Sequence, residues 1–540
     1  MSNGEKPDLQ EHQLEEGNGV IPARPNDAHD AEGHDLDLDV STFIPQPSDD
    51  PEDPLNWPLW LKICILAQIC ILAAVGTLNA AIINPAYVPM AKELGISTVT
   101  ASYQTTVVIA INGIGPFIWV PLANIYGRRP IYLGTSIIGF ASILGSAYAK
   151  TYGQLVGARV INGFFPAAMA LGPASVVDIF FMHQRGRALG LFAVFFTTGA
   201  HIAPILGGLV GQYLGWRWCF KLCSCLDAFL IVMVFFCYPE TLYVRDPNRL
   251  AHHRTAGGVP KLTKKLFIKR LRLYSTYPQL KLRLRQFVIP VFKMAKYPSV
   301  LFPALYYCTQ YGFSSNLPAT TVAAIFSARF GWDTLQIGLG YGGALSIGGI
   351  LGEFLAGMVV DAIVVRERKR LGRPDPPPEV RLKAIWTGAI ICPIGLLIYG
   401  FTIEYHSPWI APLIGMATAV FGQQIIATTC YTYAIDCYRA EGGEIALLIN
   451  FIRQEIGMTF AFYVVKLCNR IGFQYAFLMF ALVGSVLAAL PIVVLMYRGE
   501  RIREYMGVPH NVNVFDDDEM VAGHEADAQD PPNKEIAESK

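Results

Sequence analysis

The amino-acid sequence predicts an all-α, polytopic membrane protein with twelve transmembrane helices in two six-helix bundles. Three observations predict it. The 540 residues are 53% hydrophobic and only 16% charged, with a mean hydropathy of +0.37, whereas soluble domains carry about 25% charged residues. Apolar stretches of roughly the 20 residues needed to cross a bilayer recur along the chain. They fall into two sets of six, parted by a long polar segment.

Composition also excludes several classes. A net charge of +1 gives no basis for nucleic-acid binding. The start, MSNGEKPDLQ, is polar and lacks an apolar core, so no cleavable signal peptide is expected and the first span serves as the targeting signal. No Asn-x-Ser/Thr acceptor occurs. Nearly all of the 11 cysteines sit inside apolar runs, which argues against a secreted disulfide framework. Cys219, Cys223 and Cys225 cluster without CxxC pairs or a nearby histidine, so inert packing is expected and neither metal nor cofactor is anticipated. HExxH, GxSxG and the phosphate-cradling GxxxxGKS/T are missing from the sequence, which supports neither enzyme chemistry nor ATP use.

Residues 1–59 are rich in Asp, Glu, Pro, Gly and Asn, and are expected to form a disordered tail. Its end, Asp53-Pro54-Leu55-Asn56-Trp57-Pro58, is different. Its prolines fix an extended approach, and Trp57 and Trp60 suit the lipid–water boundary. Six apolar spans follow at about 61–83, 98–122, 131–149, 154–178, 188–212 and 216–238, making a first bundle over 60–238. Six more, near 299–324, 335–361, 383–404, 409–436, 442–467 and 472–497, make a second bundle over 299–498. The segment between them, 239–298, is basic. Lys264, Lys265, Lys269, Arg270 and Arg272 alternate with Leu266, Phe267, Leu271 and Leu273. Either an amphipathic helix on an anionic leaflet or a solvated loop has this character. Residues 499–540 turn polar and acidic (Asp516, Asp517, Asp518, Glu519) and are expected to be a second disordered tail.

Basic residues set the orientation. Arg128 and Arg129, Arg185 and Arg187, and then Arg366, Arg368, Lys369, Arg370, Arg373, Arg381 and Lys383 fall in short even-numbered loops. The odd loops hold scattered residues such as Lys92, Lys150, Arg329 and Arg470. The positive-inside rule places both termini and the central segment in the cytoplasm.

The densest pattern lies in the fifth span, GLFAVFFTTGAHIAPILGG, from Gly190 to Gly208. Gly190, Gly199, Ala203, Gly207 and Gly208 let neighbouring helices approach closely, and Pro204 frees a carbonyl that another helix must cover. A Gly, eight residues, a second Gly, three residues, Gly-Pro, two residues and Gly-Gly is the helix 5 signature of antiporters in the major facilitator superfamily. The stretch resembles it at every fixed position except Ala203. The resemblance covers about 53–498 and implies the major facilitator fold, with alternating access around a midplane site.

Other motifs extend it. Pro121 to Pro130 is similar to the superfamily's signature loop: Gly127, Arg128 and Arg129 match, while Val120, Asn124 and Ile125 replace Gly, Asp and Arg. The resemblance implies a latch between the halves, weakened because Asn124 carries no charge. The alternative is a positive-inside turn in which Gly127 permits the bend. Gly357 and Asp361, followed late by Arg366 and Arg368, echo the spacing in the second half. Pro239-Glu240-Thr241 resembles the ending of the twelve-span drug:proton antiporter branch, and the residues at 53–58 resemble the lead-in of fungal members.

Several polar groups lie at membrane depth, where an ionised side chain costs about 2.5–3.5 kcal/mol on insertion scales. Arg159 matches the family's helix 4 Arg-x-x-x-Gly motif, implicated in proton coupling, and shares a face with Asn162. Its alternative is to snorkel to the outer interface. Asp227 lies near mid-span and serves either in coupling or in a structural pair with Lys221. Arg453 calls for a partner on helix 2 or in the cavity, and Glu353 and Glu455 complete the set. His201 titrates near neutrality and is either a proton carrier or a neutral hydrogen-bonding residue. By resemblance, helices 1, 4, 7 and 10 line the cavity. Asn79, Asn84, Asn162, Tyr307, Gln310, Asn316, Gln423, Gln424 and Tyr431 are then substrate candidates, each set against a role in helix packing.

The resemblance implies a monomeric, proton-coupled antiporter that exports small amphipathic organic molecules (drugs, toxins or secondary metabolites) across a fungal plasma membrane. Its partners are the substrate, protons and the lipid bilayer. A proton symporter importing a small cation, polyamine or nutrient, or a transporter-like sensor, are the alternatives.

Overall fold

The computed structural model describes residues 50, 52–243, 264–272, 284–372 and 377–507. The expected tails up to residue 49 and from 508, and the central segment at 244–263 and 273–283, lie outside the described residues. The described residues form helices and connecting turns, with no strand among them.

The first half begins with α1, Leu59–Ala81, which a 3-10 turn carries into a short helix, Tyr87–Leu94. The second, α2, has two parts, Thr98–Ile114 and Pro116–Tyr126, bent by 44° where Gly115 meets Pro116. Then come α3 (Arg128–Ala147), α4 (Tyr152–Ile179, with a break at 165–167), α5 (Met182–Tyr213) and α6 (Trp216–Cys237). The second half begins with α7, where Pro298–Tyr311 and Leu317–Phe330 are joined by a π-helical turn, Gly312–Asn316. It continues through α8 (Thr334–Leu371), α9 (Ile385–Glu404, preceded by a turn at Glu379–Leu382), α10 (Ile410–Cys437) and α11 (Gly442–Ile471). The last, α12, runs from Phe473 to Met506 through a second π-turn, Val483–Leu487.

Ten of these helices are long and apolar enough to cross a membrane, and the bent α2 makes eleven. The twelfth is α7, long enough but made polar by Thr309, Gln310, Ser314, Ser315 and Asn316. Each coincides with an expected span. The largest departures are α8, which runs to Leu371 where 361 was expected, and α12, which continues to Met506. Boundary signals are local. Ser97 caps α2, Thr151 caps α4, and Asp333 with Gln336 forms a capping box on α8. The sixth helix of each half starts from a glycine at nearly the same φ, Gly215 at 89° and Gly472 at 88°, where a side chain would be strained. That shared turn is a trace of an internal repeat.

The lead-in also folds. Asp53 caps a 3-10 turn over Pro54–Asn56, and Lys62 Nζ donates to Leu55 O at 2.9 Å. Trp60 is exposed, as a boundary residue should be, but Trp57 turns into the core of the first half. The short helix Lys264–Arg270 rests Phe267 against that core. Arg270 is buried, bonding Glu52 and Leu242 carbonyls and pairing with the Glu52 carboxylate. This part of the basic segment is fastened to protein.

Even-numbered loops lie at one end of the bundle, which we call the basic end. Near it each half keeps its own core, one around Ile65, Ile69 and Leu171, the other around Tyr306, Tyr433 and Ile449. At the opposite end a single core spans both halves, from Ile82, Tyr87 and Trp216 to Phe326, Tyr341 and Phe477. The halves therefore merge at one end. At the basic end Phe117 of α2 bridges them, packing on Phe292 and Phe451 at 5.4 and 5.6 Å between ring centroids.

The fifth helix sets this contact. A methyl added at Gly199 would overlap Ala74 O of α1, and one at Gly207 would overlap Ile82 O. A methyl at Gly208 would sit 2.8 Å from Gly338 Cα of α8. Gly190 has open space, so it is the one glycine of the pattern that packing does not require. Gly207→Val should destabilise the detergent-purified protein by about 1–3 kcal/mol through overpacking. Gly190→Ala should stay within about 0.5 kcal/mol. Thermal unfolding midpoints of the two variants check this.

Candidate functional site

The interior of the first half holds a continuous polar network. Arg159 of α4 is fully buried and does not reach the interface. Its Nε donates to Gln104 Oε1 at 2.6 Å, Nη1 to Asn79 O at 2.9 Å and Asn162 Oδ1 at 3.1 Å, and Nη2 to Ala80 O at 3.2 Å. The guanidinium lies over the Phe220 ring, 4.9 Å from its centroid. Every one of these oxygen acceptors is neutral, and the orientation of all three nitrogens is set by them. The Asn79 amide reaches the other way, donating to both Asp227 oxygens at 3.1 and 3.0 Å. One asparagine thus joins the only carboxylate of α6 to the buried arginine. Asp227 does not pair with Lys221, whose Nζ sits over the Trp218 ring at 4.7 Å. The network runs on from Gln104 to Thr105, and Tyr87 O–H faces both Asn84 and Thr105 at 2.7 and 2.8 Å.

In the second half the candidates separate. Tyr307 and Tyr431 face each other across α7 and α10, 5.5 Å between centroids, beside Arg453 of α11. The arginine takes its partners from α11 and from the cavity candidates, not from helix 2: Nη2 donates to Asn450 Oδ1 at 2.8 Å, one turn away, and the guanidinium meets the Tyr307 hydroxyl. Gln423 accepts from Ser315 at 3.3 Å, and Gln424 donates to Glu353 Oε2 at 2.8 Å. Gln310 points away from the first half, accepting from Cys392 of α9 and lying against Gly484 of α12. Asn316 is buried against Gly457 of α11. His201 of α5 lies at the junction of the halves, its ring against Gly349 of α8. Among the described residues, Cys219, Cys223 and Cys225 are free thiols.

The signature loop is tied within the first half. Arg128 pairs with Asp178 at the end of α4 at 3.1 Å and donates to Asn124. The Glu240 carboxylate accepts from the backbone N–H groups of Arg128 at 2.8 Å and Arg129 at 3.1 Å, and Arg129 Nη2 donates to Phe235 O. Burial pushes the Glu240 carboxyl above the ordinary glutamate range, against the opposing pull of these N–H groups and of Arg128. Gly127, at φ 99°, leaves no room for a side chain because Glu240 fills the space. In the second half Gly357 has open space and Asp361 is exposed, without a hydrogen bond or ion pair among the described residues. The equivalent brace is elsewhere: Arg381 at the start of α9 pairs with Asp436 at the end of α10 at 2.6 Å.

Sequence reasoning did not single out Gln104, Asp178, Asp436, Phe196, Tyr311 or Asn450. The Arg128–Asp178 and Arg381–Asp436 pairs carry a legible signal, since each joins the start of the third helix of a half to the end of the fourth.

A multi-pass helical protein with two related bundles and polar groups buried between and within them defines a membrane transporter. Residues 69–462 match the model of the Major Facilitator Superfamily, and the chain belongs to that family. It is similar to the MFS-type transporter penM of Penicillium rubens, 27% identical over 467 residues that cover 84% of this chain and 88% of that one. It is also similar to the efflux pump radE of Floropilus chiversii, 25% identical over 463 residues, covering 85% and 84%. A bacterial homologue of the human lysosomal transporter Spinster, in an inward-facing and unoccupied conformation, shares the fold. Its TM-score is 0.59 at 14% identity, covering 83% of this chain and 99% of that one.

Glu240→Ala would leave buried N–H groups at the start of α3 unmet and should cost about 1–3 kcal/mol of stability. Asp361→Asn should change stability by less than about 0.5 kcal/mol. Unfolding midpoints in detergent compare the two.

Proposed function

We propose that the chain is a proton-coupled antiporter that exports small amphipathic organic molecules by alternating access. The observation that carries this reading is the antiporter-type helix, α5, in which three of the four glycines of its pattern are contact points with α1 and α8. The efflux pump radE among its relatives supports the outward direction. The basic end faces the cytoplasm by the positive-inside rule, with both termini there and the plasma membrane as the site. The merged core then closes the outer side, and the separate cores belong to an inward-facing arrangement. The Asp227–Asn79–Arg159 chain is the coupling element: proton binding at the carboxylate changes what Asn79 must hold and, through it, the end of α1. The protein works as a monomer, and the substrate passes between the halves.

The test is metabolite profiling of a transporter-poor yeast expressing the wild type, Arg159→Ala or Asp227→Asn at equal surface level. A compound depleted inside cells by the wild type alone, and restored by a protonophore, is the expected outcome. A compound accumulated inside by the wild type and lost with protonophore would replace export by symport.

A further inference from the structure

The two buried arginines are held very differently. Arg159 makes four hydrogen bonds, with all three guanidinium nitrogens on oxygen acceptors. Arg453 is 8% exposed, yet its guanidinium meets only the Asn450 side chain and the Tyr307 hydroxyl, and its Nε has no partner. No carboxylate of the described residues lies within salt-bridge distance of it. The other acids at membrane depth in this half are turned elsewhere: Glu353 accepts from Gln424, and Glu455 is turned to Gly113 of α2. A guanidinium at this depth is stabilised only partly by ring faces.

Those ring faces form the rest of the site. Tyr311 lies 4.9 Å from the guanidinium carbon and Phe196 lies 5.8 Å from it. Tyr307 stands 6.0 Å from Tyr311 and 5.5 Å from Tyr431. Tyr311, Tyr431 and Phe196 are only partly buried, so the box has an open side. Phe196 comes from α5 of the first half and the other rings from α7 and α10 of the second. The box is therefore shared between the halves, where a transported molecule must pass.

We propose that Arg453 and its aromatic box bind the anionic group of an aromatic organic acid, and that the substrates are organic anions of this class. This rests on the transporter reading above and names its substrate class. An orphaned Nε beside Nη1 and Nη2 presents the fork that a carboxylate accepts from bidentately. The ring faces beside the guanidinium offer apolar contact to a flat hydrophobic body. A neutral amphipath would leave the charge unmatched, and a cation would be repelled.

The experiment is isothermal titration calorimetry on the purified full-length protein, with three probes on one ring system: 2-naphthoate, 2-naphthamide and 2-naphthylmethylammonium. The wild type should bind naphthoate at least about tenfold tighter than the amide, the size of a charge-assisted contact, and the ammonium more weakly still. Arg453→Gln should abolish the preference for naphthoate over the amide. Asn450→Asp keeps the arginine and the side-chain shape but supplies an internal carboxylate, so it should weaken naphthoate at least about tenfold while leaving the amide unchanged. This second variant decides the matter if Arg453→Gln does not fold. Equal binding of the three probes, no binding of naphthoate, or a preference that survives Asn450→Asp would overturn the proposal. Binding needs no gradient, so the two readings fail separately. Export of cations or neutral compounds with indiscriminate probe binding would remove only the anion site. Naphthoate binding that depends on Asn450, without flux of any compound, would remove only the transport reading.

Discussion

The polar networks around Arg159, Arg128 and Arg381 each lie within one half. The halves meet through packing and through the cation–π contact of Arg453 with Phe196. In lipid, apolar burial does not drive helices together, so association depends on how closely backbones approach. That is the constraint behind Gly208 on Gly338 and behind Gly342, where an added methyl would lie 3.0 Å from the Ile205 nitrogen. Dispersion contact is lost within a fraction of an ångström and has no preferred direction. Surfaces held this way can roll or part without leaving a buried donor or acceptor unmet, which a two-sided carrier requires.

Inside the halves the logic is reversed. A buried arginine in α4 is tolerable because four oxygens converge on it, two of them the carbonyls of Asn79 and Ala80 in the last turn of α1. Those carbonyls are free of helical partners because α1 gives way there to a 3-10 turn at Asn84–Ala86. The end of one helix and the charge on another therefore satisfy each other. In the second half aromatic rings stand around Arg453.

This contrast also explains what could be read from the chain. Twelve spans were legible because apolar length is a property of composition. The spacing of Gly199, Gly207 and Gly208 was legible because close approach demands a missing side chain. Arg159 and Asp227 were legible as costly residues, but their shared partner Asn79 was not, since one asparagine in an apolar run gives no sign of which helices it will join. Backbone acceptors carry no residue identity at all. Gln310 and Tyr307 lie three residues apart on α7, and the cavity reading grouped them. They face different neighbours, Cys392 for one and Tyr431 for the other, because helical rotation and tertiary packing decide the direction. Trp57 went inward for a related reason: the folded lead-in presents it to a core that local sequence does not show.

The Arg128–Asp178 and Arg381–Asp436 braces bear on how the chain is made. Each joins residues from adjacent helices of one half, and Arg270 reaches back to Glu52 at the start of the first. By the time Arg270 has been synthesised, both partners of the Arg128–Asp178 and Arg270–Glu52 pairs are present. The ribosome has not yet begun α7. The amino-terminal bundle can therefore fasten these braces while the rest of the polypeptide is still being translated.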